Sequence, residues 1–399
     1  MKRPSTAVRT ALAAGGAVLI AFAAMAGCSS GSKQPPGTVK YVRSIGPGEG
    51  SLSVLTFNGF AENGGSDPRV DWISQFQQDT QCQVNVKYAA TSQEMIAAMS
   101  DRSRGYDVVS APGEVAGQLI DTKQVAQLNA GLVDGYKDLQ PTLRALVKKG
   151  TKTYGVPFVW GSNIVMYDPK VVRPTSQGLS ALFDPAQVAK YAGKVVMRGT
   201  PMTLADAALY LKSKDHKLGI TDPFELTPKQ LAAAQTVIRK QKPAVRTYYK
   251  QPYDAVSAFA GDGAVLGQVS AYQLDVLSRA GRSVQGLQPA EGVTGWSDSW
   301  MMGIRAAHPD CAYEWLKWMS RPDVQSQVAQ WSGVAPANPA ACSGAAALSQ
   351  QFCSAYHVAD RSYIDKVLFA KAPEPACGAD SRDCTDYAAW TIAWRDAMK

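Results

Sequence analysis

The amino-acid sequence predicts an α/β fold arranged in two lobes. From residue 51 onward, short strand-like apolar runs alternate with stretches of helical periodicity. The alternation begins again after residue 160 with a second set of strands and helices. The span that carries it, about 350 residues, is longer than one hydrophobic core usually serves.

The elements follow in order. "LSVLTF" (52–57) reads as a buried strand. "DPRVDWISQFQQDT" (67–80) places Val70, Ile73 and Phe76 at helical spacing, and "QVNVKYA" (83–89) alternates like a strand. "SQEMIAAMSDRS" (92–103) predicts a helix capped by Ser92 with Glu94 in its first turn, followed by the buried strand "YDVVSA". In the second unit, "IVMYDP", "GKVVMRG" and "AVLGQVS" are strand-like, while "TLADAALYLKS" and "TPKQLAAAQTVIRKQ" are helical. This order implies parallel sheets covered by helices on both faces, with ligands held beyond the carboxyl ends of the strands. Those ends carry "FNGF" and "SAPGE".

The N-terminus has a different character. Lys2, Arg3 and Arg9 precede an apolar run from Ala11 to Ala24, the pattern of a signal peptide over residues 1–27 and too short for a spanning helix. Met25-Ala26-Gly27-Cys28 resembles the bacterial lipoprotein processing box, which makes Cys28 the expected lipidated N-terminus. Residues 28–50, rich in Ser, Gly and Pro, read as a flexible tether. The expected location is the outer face of the cytoplasmic membrane.

Removal of the signal peptide lowers the formal charge from +8 to +5, with no basic block to suggest nucleic-acid binding. Beyond Cys28 there are six cysteines, and an even number in an exported chain implies three disulfides among 15 possible connectivities. Local spacing favours Cys342 with Cys353 and Cys377 with Cys384, leaving Cys82 for Cys311. No cysteine or histidine spacing suits a metal, and no cofactor is implied. The nucleophile-elbow, phosphate-loop and zinc-protease motifs are absent, so a binding role is expected rather than catalysis.

Several segments, in order, resemble the extracellular solute-binding proteins of bacterial ABC importers, closest to the spermidine/putrescine-binding family. They are "GYDVVSAP", "YGVPFVWGSNIVMYDP", "LSALFDPAQVAKYAGKVVM", "QPAEGVTGWSDSWMMGI" and "AYEWLKWMSRPDVQSQVAQWSGVAPANPAA". The resemblance implies a two-lobed periplasmic-binding-protein-like fold of type II with the ligand cleft between lobes. It places residues 51–158 in lobe 1, 159–290 in lobe 2 and 291–340 in a return to lobe 1. Residues 341–399 are expected to pack on lobe 2. The implied partners are a small solute, a permease with its ATPase, and the membrane through the lipid anchor, with the receptor acting as a monomer.

Within that resemblance, Trp296 and Asp298 match a Trp-x-Asp motif whose carboxylate pairs with an ammonium while the indole covers methylenes. Taken alone, Asp298 reads as a turn residue and Trp296 as a core side chain. Trp300 is expected to be scaffold. Phe57 and Phe60 stand where the family has a Trp and a Tyr, keeping aromatic faces but losing the polar atoms. Lobe-2 acids are replaced by the run that includes Arg198 and Thr200, and a tryptophan and a tyrosine fall near Ser270 and Val334. Glu114 is a candidate second anion, with Glu62 and Asp254 weaker ones.

The expected function is capture of a polyamine or similar cationic amine. The alternatives are a zwitterionic, amino-acid-like solute held by Arg198, or a ligand-free adhesin or sensor on the same fold. Tyr248-Tyr249 also raises ferric-ion binding, though the residues around them do not resemble an iron motif.

Overall fold

Two β-sheets organise the chain, and the computed structural model describes residues 37–173, 178–261, 263–344, 347–377 and 382–399. The predicted signal peptide, Cys28 and tether residues up to 36 lie outside the described residues. In spatial order the first sheet runs Ala335–Pro336, Val156–Ser162, Val293–Met302, Val108–Pro112, Ser51–Thr56 and Gln83–Tyr88, with Val367–Phe369 beside Val293–Met302. The second runs Gln285–Leu287, Ile164–Tyr167, Leu266–Val269, Val195–Arg198 and Val245–Tyr249.

Ser51–Thr56 is parallel to both its neighbours, and Val195–Arg198 likewise. Val293–Met302 is antiparallel to Val108–Pro112 and Val156–Ser162. Separate apolar clusters cover the two faces of each sheet. Central strands such as Val108–Pro112 and Leu266–Val269 are therefore buried along their whole length, including their polar residues Ser110 and Gln268.

The chain passes between the sheets at Asn163 and again between Leu287 and Val293. It crosses a third time after Phe369. Ala370 is buried in the second lobe's core, and its carbonyl lies so close to Gly113 that a Cβ there would collide with it. Lys371 pairs with Glu225 and, at 2.9 Å, with Asp222. The final helix, Tyr387–Ala397, packs on Pro228–Gln241, while Gln93 Nε2 of the first lobe donates to the Tyr387 hydroxyl at 3.2 Å.

Two local expectations shift. Helix starts at Ile73 rather than near Asp67, because Asp67 accepts from the backbone N–H of Arg69 and closes a turn. The cap of Ser92–Ser100 is Thr91, one residue before the predicted Ser92; its hydroxyl accepts from Glu94 N while the Glu94 carboxylate accepts from Ala90 N.

The tether was expected to run free to residue 50, but its described part is held. Val39 N donates to Ile304 O, and Val39, Val42 and Ile45 pack on the first lobe's core. Glu49 accepts from the amides of Asp310 and Cys311 in the first turn of Pro309–Ser320. Apolar residues spaced through a Ser/Gly/Pro-rich stretch, plus one acid at a helix N-terminus, are enough to pin it.

The structure joins Cys82 to Cys311, Cys342 to Cys353 and Cys377 to Cys384. Among the described residues no helix is long and apolar enough to cross a membrane.

Candidate functional site

Parallel strands of both sheets end at the same place, between the lobes. Ser51–Thr56 delivers Phe57, Val108–Pro112 delivers Glu114, Val195–Arg198 ends on Arg198, and Leu266–Val269 leads into Ser270. Across them runs Val293–Met302, with Trp296 opposite Gly161 and Asp298 opposite both Val159 and Pro112.

Asp298 is buried to 3 % exposure, and among the described residues no side-chain or backbone hydrogen bond reaches its carboxylate. Burial pushes its carboxyl up to about 8, the nearby Glu114 carboxylate adds to the rise, and Arg198 opposes it. Glu114, in the first turn of Gly113–Asp121, is itself buried and accepts a 2.9 Å hydrogen bond from Ser92 Oγ.

A third buried acid, Asp206, completes the nest from the second lobe. Asn163 Nδ2 donates to Thr294 Oγ1 at 2.7 Å, and Thr294 Oγ1 donates to Asp206 Oδ1, so both crossing segments are tied to one helix. Burial pushes Asp206 up to about 6, while bonds from Thr294 and Gln268 and the charge of Arg198 pull it down. Arg198 donates to Asn163 Oδ1 at 3.4 Å, and its guanidinium lies 4.5 Å from the centre of the Trp296 ring. It is the cation through which the nest's acids are partly neutralised.

Trp296 also bounds a cavity of about 140 Å³. Gly161 leaves room for the indole, since a Cβ there would overlap the ring. The first sheet contributes Trp160 and Ser162, the second lobe Ser270 and Leu274, and residues 355–363 a wall that includes Tyr356 and Tyr363. Ser162 Oγ and the Tyr363 hydroxyl share a 2.6 Å bond, and His357 stacks on Tyr363 with ring centres 3.8 Å apart.

The structure thus gathers Trp296, Asp298, Glu114 and Arg198 in one nest, with Ser270 lining the cavity beside Val334. It does not bring Phe57 and Phe60 to that cavity: Phe57 packs toward one core cluster, and Phe60 toward another, edge-on to Phe158 at 5.1 Å. Thr200 Oγ1 accepts from Met202 N in the turn before Thr203–Lys214. Asp254 caps Pro252–Ala260, and the Glu62 carbonyl accepts from Trp72 N and Ile73 N. Trp300 is scaffold, fully buried with its ring edge against Trp315 at 5.2 Å. Tyr248 packs on Trp394, and among the described residues no group of His, Cys, Asp and Glu could hold a metal.

Asp206, Asn163 and Thr294 escaped the sequence reading, as did Tyr356 and Tyr363. Asp206 had a signal: it is the one acid within Leu204–Leu209, a run otherwise of Ala and Leu and buried throughout.

Residues 71–350 match the family described as bacterial extracellular solute-binding protein. The chain is 22% identical over 271 residues to the spermidine/putrescine-binding periplasmic protein of Escherichia coli, covering 67% of this chain and 74% of that one. It is 25% identical over 281 residues to the putrescine/cadaverine-binding protein of Pseudomonas aeruginosa, covering 68% and 77%. The spermidine/putrescine ABC transporter substrate-binding protein of Streptococcus pneumoniae superposes with a TM-score of 0.64 at 14% identity, over 87% of this chain and 97% of that one. The fold is therefore the two-lobed, type II periplasmic-binding-protein-like one. The family match includes the acid nest and stops short of the Tyr356 wall. This chain belongs to the bacterial extracellular solute-binding protein family, the non-catalytic solute receptors of ABC transporters.

Proposed function

We propose that the protein captures a small cationic amine, the class to which the spermidine, putrescine and cadaverine in its relatives' names belong. The observation that carries this reading is Asp298, a buried carboxylate beside a second buried acid, with Arg198 as the neighbouring cation. An ammonium entering the nest supplies the missing counter-charge, and closure of the lobes is favoured to the extent that it binds the closed state better. Cys28 holds the receptor near its permease through a lipid anchor, which raises the effective concentration of one for the other.

Two measurements on the purified protein test this. Putrescine or spermidine at a hundredfold over Kd should add about 2.7 kcal/mol to stability. The addition should vanish in Asp298→Asn, and no response to any amine overturns the reading. Because Asp298 binds a proton up to about pH 8, an ammonium that ionises it releases that proton near pH 7. Calorimetry in two buffers of different ionisation enthalpy reads this directly.

A second reading has its own observation, the Arg198 guanidinium over Trp296. A zwitterion would place its carboxylate on Arg198 and its ammonium on Asp298. In that case 4-aminobutyrate binds, and Arg198→Gln abolishes its binding.

A further inference from the structure

The nest and the cavity share Trp296 but differ in charge. Among the described residues lining the cavity there is no carboxylate, lysine or arginine. Several of its polar side chains are already engaged. Ser162 is bonded to Tyr363, the Ser270 hydroxyl donates to Gln273 Oε1 at 2.7 Å, and His357 Nδ1 faces Asp360 at 3.3 Å. The Tyr356 hydroxyl is hydrogen-bonded to Asp275, which is paired with Arg279 at 2.9 Å.

We propose that this cavity receives an uncharged, apolar or aromatic body of the solute, so that the preferred ligand is a single amine with an apolar tail rather than a diamine. The proposal rests on the amine reading and narrows it. A second ammonium in the cavity would be desolvated without an acid to meet it, which disfavours a diamine there. The volume sets the size of the tail. At about 140 Å³ the cavity is close to the roughly 150 Å³ apolar cavity known to hold benzene, so it suits about six heavy atoms. The aromatic wall at Tyr356 and Tyr363 lies beyond the residues that the family model matches. It lines the same cavity as Ser270 and Val334.

The test compares ligands matched in length. Hexylamine and phenethylamine are titrated into the full protein against 1,6-diaminohexane and choline. The expected result is at least tenfold tighter binding of the monoamines than of the diamine. Equal or tighter binding of the diamine, or of choline, overturns the proposal and leaves the amine reading standing. If none of the four binds and putrescine and spermidine also fail, both fall together.

Ala271→Asp then probes the location. It adds a carboxylate to the cavity wall at the first residue of Ala271–Arg279, where a helix favours an acid. The variant should shift the preference at least tenfold toward 1,6-diaminohexane, and Val334→Glu, on another element, provides the same readout if Ala271→Asp does not fold. An unchanged preference in a folded variant overturns the proposal.

Discussion

The acid nest and the cavity are neighbours built on opposite principles. The nest concentrates Asp298, Glu114 and Asp206 around Arg198, with one carboxylate lacking any hydrogen bond among the described residues. The cavity lining carries no charged side chain among the described residues, and several of its polar atoms are already hydrogen-bonded. One region holds a carboxyl that burial keeps protonated up to about pH 8, whereas the other has no carboxyl in its lining among the described residues. The difference teaches that recognition by charge and recognition by shape are assigned to separate stretches of chain, hinged on the single indole of Trp296.

Asp298→Asn breaks the comparison most severely. Removing one partner of a buried charge pair costs about 3–5 kcal/mol, so amine affinity should fall at least a hundredfold in calorimetry. The same variant has an opposite effect on the empty protein. Because the carboxyl's value rises from 3.8 to about 8 on folding, the folded chain holds a proton that the unfolded chain releases between those values. Stability is therefore lost as pH rises through that window, and Asp298→Asn should restore about 1–3 kcal/mol at pH 8.5 but nothing at pH 3.5. Thermal melts at the two pH values check the sign.

Arg198→Gln sharpens the comparison by freeing the Trp296 face. Loss of a guanidinium over an indole, worth about 0.5–2 kcal/mol, should improve amine affinity several-fold. Weaker amine binding instead would move the solute's anionic end onto Arg198. Thr200→Ala belongs to neither region and should change amine binding and stability by less than about 0.5 kcal/mol.

Part of the nest was legible in the sequence because Glu114 and Arg198 sit at strand ends, while Trp296 and Asp298, in mid-strand, were found only through the Trp-x-Asp resemblance. Trp296 and Asp298 lie two apart on one strand, and Glu114 and Arg198 each follow a buried run. Phe57 and Phe60 are not assigned by the sequence alone, because an aromatic at a strand end is as useful to a core as to a ligand; here both are partly buried and pack against core clusters. The cavity wall was invisible for another reason. Tyr363 reaches Ser162, 201 residues away, only through the return of the C-terminal segment, and no local pattern encodes such a contact.

The third crossing of the chain has a mechanical consequence. A receptor joined by two crossing segments can both bend and twist about them. Here the segment after Phe369 runs over Gly113 on one side and is tied by Lys371 to Asp222 and Glu225 on the other. A third link of this kind must yield or slide whenever the lobes move, so the strap, and not only the two crossing segments, bears on how far the receptor opens.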